Sequence, residues 1–249
     1  MTGTKDQRRR ANPYLPARLD YAEIRIQSSA KLFGSDMDDP GLTRISGAVI
    51  VPDLHDEDEE SICSVEGIGL SITGEPTPEI TILRAEAVVL DLDLIQDPHE
   101  TLDADSQELE AFGCLFDLEG GVGLHPDLEQ MIEGSGRHVV IGERVRLAPA
   151  WRGLGGVGRY LFGRMLPLIC CDPVVVAAQP FPLDVTRDEK GNADKESLKH
   201  GLSQIRHTCR SIGFEPYKDD IWIMDPNSIK HERSIAKLER QLSLPKFAS

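Results

Sequence analysis

The chain is short of aromatic side chains, of cysteine and of positive charge, and each shortage narrows what it can be. Aromatic residues are 5% of the 249 and hydrophobic residues 40%, enough for a real core, though one left mainly to aliphatic side chains. Its five cysteines (Cys63, Cys114, Cys170, Cys171 and Cys209) are odd in number, scattered and free of any C-x-x-C pair. That set, with no leader-like segment, points to a reducing, cytoplasmic setting and to no metal site. Lys and Arg total 27 against 42 Asp and Glu, a net charge of −15. Such a balance argues against nucleic acid or an anionic membrane as partner. It would suit a cationic acceptor, although a solvated acidic surface is the commoner meaning of such charge. No apolar run reaches the roughly 18 residues of a membrane span. There is no G-x-x-x-x-G-K-[ST], which excludes a P-loop nucleotide site.

What the chain does have is a stretch from His138 to Leu168. Residues His138 to Leu147 are apolar or β-branched with Glu143, Arg144 and Arg146 interleaved, which predicts a strand. Pro149 ends its ladder, because proline has no N–H to offer. Arg152–Gly158, RGLGGVG, holds four glycines in seven residues. Val157, Tyr160, Leu161, Met165, Leu168 and Ile169 then recur at helical spacing, and Pro167 predicts that this helix kinks or ends near Met165. A strand feeding a glycine turn at a helix N-terminus makes an anion site, because the first backbone N–H groups are unpaired and glycine admits a phosphate to the backbone. A tight turn that uses glycine only for positive φ is the plainer reading, yet one or two glycines suffice for that.

Elsewhere the pattern is coarser. Residues 1–19 read as a flexible basic arm, residues 20–226 as one domain, and residues 227–249 as a terminal helix and tail. Strands are expected at Tyr21–Gln27, Ile45–Val51, Ile62–Thr73 and Ile80–Ile95, the last with one wet face along VVLDLDL. The acidic run Asp53–Glu60, with His55 inside it, lacks the ligand spacing of a metal site and reads as a solvated loop. Asp105-Ser-Gln-Glu108 resembles a capping box opening a helix to about Asp117, with Leu109, Phe112, Leu115 and Phe116 inward. A short helix is expected around Pro126–Glu133, and a buried strand at Pro173–Asp184. The helix Lys195–Ile212 has Leu198, Leu202, Ile205, Cys209 and Ile212 on one face, with Gly213 as its C′ residue. Ser234–Leu242 places Ile235, Leu238 and Leu242 together as a docking helix.

The segment V-R-L-A-P-A-W-R-G-L-G-G-V-G-R-Y-L resembles the acetyl-CoA-binding stretch of the GNAT N-acetyltransferase superfamily. Leu147 and Pro149 match the strand end, Arg152 the basic position, and Gly156-Val157-Gly158 the Gly-x-Gly. This turn carries one residue more than the family's usual spacing. The order that follows, a strand, a helix, a Gly-Phe turn and a closing hairpin, is also similar. So are the A-D-S-Q-E-L helix and P-F-P-L strand end of a bacterial GNAT-like branch.

The resemblance implies an α/β fold of the mixed α+β kind, a mostly antiparallel twisted sheet flanked by helices. Two parallel strands splay around the cofactor. It implies acetyl-CoA as co-substrate, held by Val145, Arg146, Leu147, Arg152, Gly153, Leu154, Gly155, Gly156, Val157, Gly158 and Arg159, and direct acyl transfer to a small-molecule or peptide amine.

Such an amine needs a base, and Glu143, placed by strand alternation on one face with Val145 and Leu147, is the candidate. A Glu salt-bridged to Arg144 or Arg146 is the plainer alternative. Where the family has a Tyr as acid, this chain has Cys209; a buried structural thiol is its plainer role, and His207 and Tyr217 are weaker substitutes. A homodimer is open to the chain.

Two other functions fit the residues. One is a GNAT-fold binding or regulatory module without turnover. The other is a nicotinamide-dinucleotide oxidoreductase, since Gly153, Gly155 and Gly158 satisfy G-x-G-x-x-G and Asp184 could hold a ribose. The position past mid-chain leaves too little sequence for two mononucleotide halves.

Overall fold

Parallel strands need a crossover, usually a helix, and one such unit anchors the architecture: strand β4 (His138–Leu147), helix α4 (Val157–Ile169) and strand β5 (Pro173–Ala178). The structure is a computed structural model, and it describes residues 19, 21–29, 41–52, 79–117, 123–182 and 194–242. The basic arm before Leu19, the acidic run at 53–60, the strand expected at 62–73 and Asp184 lie outside the described residues.

Before β4 come β1 (Glu23–Ser29), β2 (Leu42–Pro52), β3 (Glu79–Asp91) and the short helices α1 (Pro98–Asp105), α2 (Gln107–Glu110) and α3 (Pro126–Glu129). After β5 come α5 (Lys195–Ser211), β6 (Glu215–Pro216), β7 (Trp222–Met224) and α6 (Ile229–Leu242). The seven strands form one sheet in the order β1-β2-β3-β4-β5-β7-β6. Only β4 and β5 are parallel among these pairs. The fold is thus mixed α/β with a mostly antiparallel sheet.

Both faces of the sheet are covered, by different layers. On one, Ile82, Ala85, Val140 and Val176 pack with Tyr160, Met165, Ile212, Ile235 and Leu238 from α4, α6 and the end of α5. On the other, Val88, Leu90, Val139, Ile141 and Val175 pack with Leu102, Leu109, Phe112, Leu115 and Leu128 from α1 to α3 and the 3-10 turn that follows α2. This second layer stops short of the β1–β4 corner where Arg84, Glu86, Arg144 and Arg146 stand.

Several local expectations change. The alternation VVLDLDL mimics a strand, but β3 ends at Asp91, and residues 92–94 form a turn in which Leu94 is exposed. The expected capping box is split. Ser106, not Asp105, is the cap; its Oγ accepts from Leu109 N at 3.2 Å, and it opens only a four-residue helix. An unforeseen helix, α1, precedes it. Asp97 caps α1 by accepting from the His99 and Glu100 amides, with Pro98 in the first turn, where its missing N–H costs nothing. Pro167 does not shorten α4, which runs on to Ile169; Leu166 and Ile169 on either side are buried, and that burial offsets the lost hydrogen bond. α6 begins at Ile229, earlier than its apolar stripe suggests.

The end of α5 follows the glycine. Gly213 sits at φ 108°, its N–H donates to Arg210 O, and Phe214 N–H donates to Cys209 O at 3.0 Å, the paired bonds of a Schellman motif. α6 lies on α4. Its Ile235 fits against Gly163, its Leu238 against Gly156, and Tyr160 Oη donates to Glu239 Oε1 at 3.3 Å.

Candidate functional site

Strand β5 pairs with β4 only from His138 to Gly142. Past Ala178 the chain reads Gln179-Pro180-Phe181-Pro182, and two prolines cannot continue a ladder. On its β5 side, β4 therefore has no strand neighbour from Glu143 to Leu147 among the described residues, while β3 still pairs with its other edge. The two parallel strands splay there. Val145, 37% exposed, and Phe181, 56% exposed, present apolar surface at that end of the sheet.

The glycine turn closes the same end. Gly153, Gly155 and Gly156 have φ of 78°, 68° and 112°, a succession of left-handed residues that only glycine adopts freely. Gly156 is the N-cap of α4 and gives its first turn no side-chain acceptor. The other five α-helices among the described residues each have one: Asp97, Ser106, His125 and Asp194 for α1, α2, α3 and α5, and Ser228, whose Oγ accepts from Lys230 N, for α6. The first turn of α4 also holds no acid and does hold Arg159, the reverse of what the helix dipole favours. The Arg159 guanidinium lies against Gly156, where a Cβ would meet its Nη2 at 2.7 Å, and no ion pair engages it among the described residues. Gly158 is needed for close approach, since a Cβ there would stand 2.7 Å from Leu147 Cδ2. Arg152 turns back, and its Nε donates to Leu147 O at 3.0 Å. Leu154 packs against the α4 layer and Val157 is buried in it.

Glu143 does not share a face with Val145 and Leu147, contrary to what alternation predicts. Glu86 stands opposite Arg144 and Ala87 opposite Gly142, so Glu143 is an extra residue in β4, a β-bulge. The insertion breaks the parity of the strand. Val145 and Leu147 align with Ala85 and Leu83 on the α4 face. Glu143 lies with Arg144 and Arg146 on the opposite face, not with Val145 and Leu147. Its partner is neither Arg144 nor Arg146. Arg44 of β2 donates from Nη1 to both carboxylate oxygens at 3.2 and 3.1 Å, and its Nη2 donates to Asp105 at the end of α1. The two carboxylates hold the Arg44 guanidinium above its ordinary range, against the opposing effect of its burial.

Arg44 and Asp105 had no signal in sequence, because their partner is supplied by sheet register and not by spacing. Arg146, expected at the cofactor, sends its side chain to this same face, away from α4; only its backbone borders the splay.

The candidate acids are dispersed. Cys209 packs beside the α4 layer, and burial pushes its thiol up to about 11. His207 is exposed on α5. Tyr217, on the β6–β7 connection, has a buried hydroxyl with no hydrogen-bond partner among the described residues and packs on the α1–α3 side. Burial raises its phenol, and Lys218 beside it acts in the opposite direction.

No family model, curated protein or solved structure matches this chain. Among the described residues no group of three or more His, Cys, Asp or Glu could hold a metal ion, and no helix is long and apolar enough to cross a membrane.

Proposed function

We propose that the protein is an acetyl-CoA-dependent N-acetyltransferase of the GNAT type that acetylates a primary amine by direct attack. The observation that carries this reading is the glycine-capped N-terminus of α4 set beside the splay of β4 and β5. Of the six α-helices among the described residues it is the one without a side-chain acceptor, and a cation sits in its first turn. A diphosphate would supply the missing acceptors and pair with Arg159.

The residues fit the group. Gly153 to Gly158 form the cradle, the edge of β4 from Glu143 to Leu147, which no described strand pairs and on which Arg152 takes only the Leu147 carbonyl, offers backbone groups to a pantetheine arm, and Val145 and Phe181 offer it apolar cover. When bound, acetyl-CoA supplies the activated thioester. Backbone N–H groups on the free edge of β4 would polarise its carbonyl. Glu143, fixed by Arg44, would receive the amine proton at Oε1 or Oε2, directly or through water. Cys209 has no part in this scheme, since a half-buried thiol raised to about 11 is poorly suited to donate at neutral pH.

That last point favours a second reading, a fold that binds CoA without turnover. The dinucleotide alternative has less support, because the sheet has one parallel pair among the described strands and a dinucleotide fold needs several.

The test is isothermal titration with acetyl-CoA, CoA and NAD, using Gly156→Asp as control. Acetyl-CoA binding that the Asp abolishes supports the reading. Binding of NAD alone overturns it. Binding of acetyl-CoA without acetyl transfer to any amine of a broad panel selects the second reading.

A further inference from the structure

The bulge at Glu143 puts Arg144 and Arg146 on the face away from α4, and so assembles an arginine patch beside Glu143. Arg84 of β3 and Arg146 of β4 stand directly opposite each other across the ladder, on the face away from α4. Like charges in that relation repel. Arg144 lies two residues before Arg146, opposite Glu86, and its Nη1 is 4.0 Å from a Glu86 carboxylate that also stands 3.4 Å from Arg84 Nε. Arg146 is exposed and has no ion pair or hydrogen bond among the described residues.

Elsewhere on this face the pairing is close. Arg25 lies between Glu23 and Glu79, at 3.0 and 2.6 Å, and Arg44 between Glu143 and Asp105. A protein of net charge −15 that pairs those arginines tightly, yet opposes two others and leaves Arg146 without a counter-ion, holds a place for an anion.

We infer that this patch is the acceptor subsite, and that the acceptor is an amine that itself bears an anionic group, a carboxylate or a phosphate. The inference rests on the acetyltransferase reading. The anion pairs with Arg146 and Arg144, and the amine is then within reach of Glu143. Glu143 adjoins Arg144, and Arg146 lies about 7 Å beyond Arg144 along the strand, so a short amino acid or aminoalkyl phosphate spans the distance from the arginines to the Glu143 carboxylate. A guanidinium pair gives such an anion bidentate bonds. The charge pattern of this corner thus selects against the cationic acceptor that net charge alone would suggest.

The experiment uses the full chain and matched amines: β-alanine against ethylamine for the carboxylate, and 2-aminoethyl phosphate against 2-aminoethanol for the phosphate. At least one anionic member is expected to exceed its neutral counterpart tenfold or more in kcat/KM, and the pair that does so identifies the anion. In Arg146→Ala, and in Arg144→Ala as a second variant, that ratio is expected to fall toward one, mainly through KM. Equal use of all four amines, or preference for the neutral members or for spermidine, overturns the inference. A parallel titration of the protein alone with β-alanine or inorganic phosphate follows the side-chain Nε resonances of its arginines by NMR. Shifts in the wild type that Arg146→Ala abolishes support the anion site even if acetyl-CoA fails to bind, in which case only the acetyltransferase reading falls. No shift and no selectivity reject the site itself.

Discussion

Arg44 and Glu143 are 99 residues apart in the chain and 3.1 Å apart in the fold, and the same guanidinium reaches Asp105. One side chain thereby ties β2, the end of α1 and the bulge of β4. Arg44→Met is expected to lower stability by about 1 kcal/mol, because two carboxylates are left facing each other. Urea unfolding measures it, and added salt should narrow the difference between variant and wild type. A neutral result in low salt would show that the clamp does not contribute.

Arg159 is the cation placed at the glycine turn. Arg159→Ala is expected to weaken acetyl-CoA about tenfold and to leave the melting temperature of the unliganded protein near that of the wild type, since no described group pairs with it. Calorimetric titration at two salt concentrations reads both the loss and a shallower salt dependence. An unchanged Kd would remove Arg159 from the site.

Cys209 separates chemistry from packing. Cys209→Ala is expected to cost about 1 kcal/mol through lost burial and to leave turnover within about threefold. A hundredfold loss of kcat with intact acetyl-CoA binding would make the thiol an acid after all. In the wild type, a thiol reagent at pH 8 should label exposed Cys171 well before half-buried Cys209.

Tyr160 tests the docking of α6. Burial first, and Glu239 second, push its phenol up to about 12, above the unfolded value of about 10. The folded state therefore favours the neutral phenol. That contribution is complete below about pH 10 and is lost as pH climbs toward about 12. Wild-type stability should fall more steeply across that window than that of Tyr160→Phe; parallel slopes would show that the hydroxyl is not held.

Much of the α4 unit was readable from residues alone. β4 has the bounds its composition predicts, because Pro149 and the glycines punctuate it sharply. α5 ends where Gly213 says it must. Other features leave no such mark. The Asp97-Pro98 start of α1 was a readable cap signal, hidden by the alternation VVLDLDL running into it. The bulge had no signal beyond Gly142, since an inserted residue is defined by its partner strand, and Glu86 and Ala87 lie more than fifty residues upstream. For the same reason Arg44, Arg84 and Asp105 could not be assigned to the site in advance.

The bulge has one more consequence. A strand's two faces obey a parity rule, and a single inserted residue reverses that parity for everything after it. Gly142 and the residues before it follow one assignment of core and solvent, and Arg144 onward follow the other. Substitution cannot convert one arrangement gradually into the other; only insertion or deletion of a residue can. Removing Glu143 would therefore do more than delete a carboxylate. It would also remove the bulge: Arg144 would follow Gly142 directly, still opposite Glu86, so Val145 and Leu147 would keep the α4 face while Arg44 lost its partner on the strand.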